Sequence, residues 1–216
     1  MAYLDRLVFF VSLLIPFTTH MMPGAQKAVE ASSSISTPWY LTRAMAVSAY
    51  LALSFSVILG MLRSVARKAS ERVSWVVDEL HQFIATLAGL FVLGHLVTLK
   101  LDSFMPFSLI NLLLPVAEPY QPLATAFGVF GLYAMVLLLA SSWLRRRIRY
   151  SWWRGIHYIS FVAFALVTIH GWLAGSDSTE PWMRAIYAAS AASVTFLILV
   201  RLFVGAPPVS ASSRAG

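Results

Sequence analysis

The sequence predicts an all-α integral membrane protein, a bundle of six transmembrane helices. Two observations carry that expectation. Of the 216 residues, 59% are apolar and only 12% charged, and mean hydropathy is +0.75. Apolar runs near twenty residues recur along the chain, the length that crosses a hydrocarbon core of about 30 Å. Soluble domains of this length do not carry such a composition.

Six spans follow from those runs, at residues 7–22, 39–62, 75–99, 123–144, 153–173 and 182–204. The first is short, and its charged start at Arg6 also suits a signal peptide. No small-x-small cleavage site follows it, so it is read as a retained helix. The segment 103–122 is interrupted by Pro106, Pro115, Pro119 and Pro122 and cannot span. Its apolar middle, 108–114, is expected to lie along the membrane surface as a short helix. The loop 23–38 is serine-rich and polar, and the tail after Gly205 is small, polar and expected to be disordered.

Charge placement sets the orientation. Arg63, Arg67, Lys68 and Arg72 follow span two, and Arg145, Arg146, Arg147, Arg149 and Arg154 follow span four. Six spans put both clusters on one side, with Arg6, Arg201 and Arg214. The other side holds Lys27, Arg43, Lys100 and Arg184 among five acids. The excess of basic residues marks the cytoplasmic face, so both termini are expected there. Trp75, Trp143, Trp152 and Trp153 are read as inner interfacial anchors, and Trp39, Trp172 and Trp182 as outer ones. Topology thus accounts for the net charge of +7, and no nucleic-acid partner is expected.

Histidine carries the chemistry. His81 and His95 lie fourteen positions apart in span three, His157 and His170 thirteen apart in span five. Burying imidazole in lipid is costly without a partner. Heme iron is one such partner, since neutral imidazole ligates it. The sequence has no cysteine, which excludes thiolate ligands, iron–sulfur clusters and thioether attachment, so any heme is b-type and non-covalent. Spans three and five run parallel. At about 1.5 Å rise per residue, His81 and His157 share one depth, and His95 and His170 another roughly 20 Å away. Two b-type hemes between helices three and five are therefore expected, each iron taking one imidazole from each helix.

The azimuths are uneven. At about 100° per residue, His95 returns to within roughly 40° of His81, but His170 falls roughly 140° from His157. Span five must be over-wound, bent, or aimed to two sides, and it holds no proline. His20 has no partner in this scheme and reads as an interfacial side chain. Arg43, one turn inside span two, suits either a heme propionate or a snorkelling cation. Arg72 and Arg154 flank the inner ligands, and Asp78 and Glu79 sit where acids favour a helix start.

Three segments carry a family resemblance: LHQFIATLAGLFVLGHLVTLKLD in span three, WWRGIHYISFVAFALVTIHGWLAG in span five, and LTRAMAVSAYLALSFSVILGMLR in span two. The external PFSLINLLLPVAEPYQPL adds to them. Together they resemble the ferric-reductase-like transmembrane domain family. That family holds the membrane halves of NADPH oxidases and ferric reductases, and the heme subunit of the periplasmic methionine sulfoxide reductase system. The resemblance covers roughly residues 39–204. It implies a transmembrane heme domain over 1–204, a cytoplasmic tail over 205–216, and residence in a bacterial inner (plasma) membrane. It also implies heme ligation by His81, His157, His95 and His170, with Arg43 at the outer heme.

Family members that oxidise NAD(P)H continue into a flavin and nicotinamide domain. Here there is no G-x-G-x-x-G, so the chain is not expected to use NAD(P)H by itself. A separate flavin reductase carrying FMN or FAD, or a membrane quinol, would donate electrons, and an extracytoplasmic redox partner would accept them. The expected function is a di-heme b cytochrome moving electrons outward through lipid. The alternatives are a non-enzymatic accessory heme subunit of a larger complex and a quinone-linked cytochrome b.

Overall fold

A computed structural model describes residues 37–102, 107–115 and 121–203. Every element in them is helical: α1 (Thr37–Ala69), α2 (Glu71–Leu101), α3 (Leu109–Leu113), α4 (Pro122–Trp143), α5 (Tyr150–His157), α6 (Ile159–Ala174) and α7 (Pro181–Phe203). Five stretches are long and apolar enough to cross a membrane: Pro38–Arg63, Glu71–Leu101, Pro122–Trp143, Tyr150–Ala174 and Pro181–Phe203. The chain is a multi-pass helical membrane protein. The expected first span, His20 and the tail 205–216 lie outside the described residues.

Local chemistry places the helix ends. Pro122 and Pro181 open α4 and α7, where a missing N–H costs nothing. Ser70 caps α2 through a hydrogen bond from the Val73 N–H at 3.2 Å, Glu71 follows in the first turn, and Lys100 sits in the last. The basic segment 63–72, read from sequence as a loop, is helical up to Ala69, and one residue separates α1 from α2. Its Ala, Arg and Lys residues are strong helix formers, so the helix continues past the apolar run.

The bundle is built from two tightly packed pairs, α1 with α2 and α4 with α6. α1 also touches α6 and α7, and α4 touches α2. By contrast, α2 and the α5–α6 span, which carry the four histidines, approach each other little. A slot is left between the pairs. At mid-depth it is closed by an apolar plug of Tyr50, Leu53, Ala88, Met135 and Phe164. Ala88 lies midway between His81 and His95 and is 1% exposed; Ala163, midway between His157 and His170, is 0% exposed. Small side chains there let the backbones close over the plug.

The azimuth problem in the fifth sequence span has a partial local answer. The helix is interrupted at Tyr158, with φ −66° and ψ −18°. The Tyr158 N–H is shared between the carbonyls of Arg154 and Gly155, and the Phe161 N–H reaches the Tyr158 carbonyl at 3.2 Å. That is a turn of 3₁₀ character, with 3.0 rather than 3.6 residues per turn, so each tightened residue adds about 20°. The over-winding falls just after Gly155, the one glycine between Tyr150 and His170.

The short surface helix is α3, capped by Ser108, whose hydroxyl accepts the Asn111 N–H at 3.1 Å. Leu112 turns inward, while Leu109, Ile110, Leu113 and Leu114 face out. Tyr133 of α4 donates its hydroxyl to the Leu113 carbonyl and ties the segment to the bundle. Trp75, Trp143, Trp152, Trp172 and Trp182 are exposed, as interfacial anchors should be. Trp153 is not one of them. It is 8% exposed and packs against His157 and Arg145, while Tyr150 and Trp152 of the same turn stay exposed.

Close packing generates a contrast that can be measured. A Cβ on Gly131 would lie 2.8 Å from Val167 Cγ2, where α4 crosses α6, whereas one on Gly155 would meet nothing within 4 Å. Gly131→Ala is expected to destabilise the purified protein by about 1–3 kcal/mol through overpacking. Gly155→Ala should be neutral or stabilising by up to about 1 kcal/mol, and thermal melts in detergent compare the two.

Candidate functional site

The structure arranges the four imidazoles as two pairs at two depths. At the end of the bundle carrying the basic clusters, the ring centroids of His81 (α2) and His157 (α5) are 6.0 Å apart, with planes at 71°. At the far end, His95 (α2) and His170 (α6) line one cavity of about 420 Å³, shared with Thr42, Arg43 and Asp177. Ligand pockets run about 300–1,000 Å³, so this one is large enough for a sizeable cofactor.

Helix backbone orients three of the four rings. His81 Nδ1–H donates to the Ser56 carbonyl of α1 at 2.9 Å, with the Ser56 hydroxyl oxygen 3.3 Å away. His95 Nδ1–H donates to the Thr42 carbonyl at 3.1 Å, and His170 Nδ1–H to the Ala124 carbonyl of α4 at 2.7 Å. A carbonyl can only accept, so each bond assigns the proton to Nδ1 and leaves Nε2 with a free lone pair. For His81 and His170, room for the ring comes from a glycine one turn beyond the accepting residue. A Cβ on Gly60 would sit 3.2 Å from His81 Cε1, and one on Gly128 would sit 2.8 Å from His170 Cε1. The fourth ring differs: His157 Nδ1 is buried without a hydrogen bond.

Each pair has a two-point ion pair near it. Arg43 of α1 donates Nε to Asp177 Oδ2 at 2.9 Å and Nη2 to Oδ1, tying α1 to the α6–α7 loop at the cavity mouth. Arg63 of α1 donates Nη2 to Asp78 Oδ2 at 2.8 Å and Nε to Oδ1, and Asp78 lies three residues before His81 on α2. Asp177 is the partner that sequence reading missed for Arg43. It is 134 positions away, and only its position in the α6–α7 turn, a few residues after His170, hinted at a role. Arg154 turns its guanidinium to the Tyr158 hydroxyl at 3.1 Å, and Arg72 is exposed. Gln121, at φ 49°, holds a left-handed conformation on the cavity wall just before Pro122.

What this arrangement can ligate is constrained. Among the described residues no group of three or more His, Cys, Asp or Glu side chains converges. Two imidazoles per level suit an iron that brings its own equatorial ligands, as heme does. At the basic end the two ring centroids are 6.0 Å apart, a separation that would admit a metal held between the imidazoles. The buried Thr42 hydroxyl, which has no partner, adds a polar group on the far cavity's wall for which protein alone provides no use.

Fold and site together define a class: a multi-pass helical membrane protein with paired histidines, three of them oriented by helix backbone. The family described as ferric reductase like transmembrane component matches residues 45–169, more than half of the chain, and the chain belongs to it. That stretch holds His81, His95 and His157 and stops one residue short of His170. No curated protein and no solved structure matches the chain. Membership places it among membrane redox components.

The Arg43–Asp177 pair gives a prediction about this end of the bundle. Arg43→Ala and Asp177→Ala should each lower stability by about 1–3 kcal/mol, a range that allows for the partial exposure of Arg43. The double variant should be little worse than either single one. A double-mutant cycle from detergent melts measures the coupling.

Proposed function

We propose that the chain is a di-heme b-type cytochrome that moves electrons across a bacterial inner membrane, from a cytoplasmic or quinol donor to an acceptor on the other side. The observation that carries the reading is the pairing of imidazoles at two depths, three of them with Nδ1 engaged and Nε2 free. Family membership supports it. His81 and His157 hold the heme at the basic end, and His95 and His170 the heme at the far end. The basic clusters make the first of these the cytoplasmic one.

Heme iron, when bound, takes up and releases single electrons. The chain supplies everything around that. Backbone carbonyls of Ser56, Thr42 and Ala124 hold the rings in the ligating tautomer and raise the basicity of Nε2. The plug around Ala88 and Phe164 keeps the two levels apart and water out. In such a site, burial and hydrogen bonding to the ligands tune the potential. Arg43 retains Nη1 for a propionate while Asp177 occupies Nε and Nη2. Electrons enter from a separate protein carrying FMN or FAD, or from quinol, and leave to an extracytoplasmic redox partner.

Purified protein supplied with heme should show a reducible b-type spectrum and two hemes per chain by pyridine hemochromogen assay. His95→Ala and His157→Ala should each lose about one heme. A spectrum without heme in the wild type would sink the reading, and a single heme would favour the accessory-subunit alternative. Gly128→Ala should weaken retention of the far-end heme more than Gly60→Ala weakens the other, because its Cβ intrudes further on the imidazole.

A further inference from the structure

His157 is the one imidazole of the four that no carbonyl holds; its buried Nδ1 has no hydrogen-bond partner. A different contact holds the ring. It lies against the indole of Trp153, one turn earlier in α5, with centroids 4.9 Å apart and planes within 25°. Trp153 is buried, and its Nε1–H also lacks an acceptor, so hydrogen bonding does not explain why an indole sits there. The Arg145 guanidinium carbon lies 4.7 Å from the same indole centroid, and the Tyr150 ring 5.8 Å away. Trp153 thus contacts both a cation from the Leu144–Arg149 connection and an imidazole of the basic-end pair.

We infer that Trp153, braced by Arg145, is a positioning residue that sets the plane of His157 in place of the backbone hydrogen bond that orients the other three imidazoles. The inference rests on the heme reading above. Its physics is local. A hydrogen bond at Nδ1 settles both the tautomer and the rotation of an imidazole. A stacked indole settles only the plane: offset stacking is favourable over a range of lateral displacements, and it names no proton. A guanidinium over an indole is attracted by the ring's negative face, which helps to hold Trp153 against the imidazole. The basic-end pair is thus gripped through one carbonyl and one stack, the far-end pair through two carbonyls. A change at Trp153 acts on the first pair alone, since His170 lies seventeen residues further along and takes its orientation from α4.

The test is an optical redox titration of the full chain loaded with heme, with the basic-end step identified as the one that His157→Ala removes. In Trp153→Leu that step should shift by at least tenfold in its equilibrium constant, about 59 mV, or disappear, while the other step stays at its wild-type position. Trp153→Phe, which keeps a stacking ring, should remain close to wild type. Arg145→Ala should move the same step by less. Two unshifted steps in Trp153→Leu, or equal displacement of both, would overturn the inference and leave the heme reading standing. Wild-type protein that binds no heme would overturn both. If Trp153→Leu does not insert, Arg145→Ala decides: a selective shift of the basic-end step supports the assignment, and an unmoved step refutes it.

Discussion

An N–H inside a lipid-embedded bundle is costly to leave unmet, and for three of the four imidazoles here the acceptor is helix backbone. The carbonyls of Ser56, Thr42 and Ala124 lie within helices, yet each has a second lone pair. Using it costs the helix little and relieves the histidine of an unmet donor in a medium without water. It also decides which nitrogen is left bare. One interaction therefore satisfies the membrane and prepares the site. It further requires that α1 run beside α2, and α4 beside α6, close enough for side chain to reach backbone.

That proximity explains where the small residues stand. Gly60 and Gly128 face imidazoles, Gly131 faces Val167, and Ala88 and Ala163 sit at the waist of the bundle. In lipid, apolar side chains gain little by turning from hydrocarbon to protein, so helix pairs are held by close contact and polar bonds. The large apolar residues are correspondingly turned outward: Phe83, Leu90, Leu93 and Val97 of α2 all face away from the bundle. What would be an aggregation-prone surface in water is a lipid-facing one here.

Charge is placed with the same economy. Asp177 and Asp78 each take two hydrogen bonds from one arginine, and each pair braces α1 against a neighbouring segment close to an imidazole level. Planar guanidinium suits this because its two donors match a carboxylate's two oxygens. Arg145 and Arg154 are drawn to aromatic rings instead. The basic residues at that end thus serve local structure as well as orientation.

Much was legible without coordinates. Apolar runs of membrane length located five membrane-spanning stretches to within a few residues, because in hydrocarbon a helix is nearly the only way to satisfy a backbone. Spacing along two parallel helices put His81 level with His157 and His95 level with His170, since rise per residue is constant. Tertiary structure alone decided the rest. Which carbonyl receives each Nδ1–H depends on how α1 and α4 are rotated, and no local pattern encodes that. The pairing of Arg43 with Asp177 spans 134 positions, and the burial of Trp153 reverses its reading as an interfacial anchor. Depth follows from counting residues along one helix. Orientation follows from contacts between helices, and these arise only when distant segments pack.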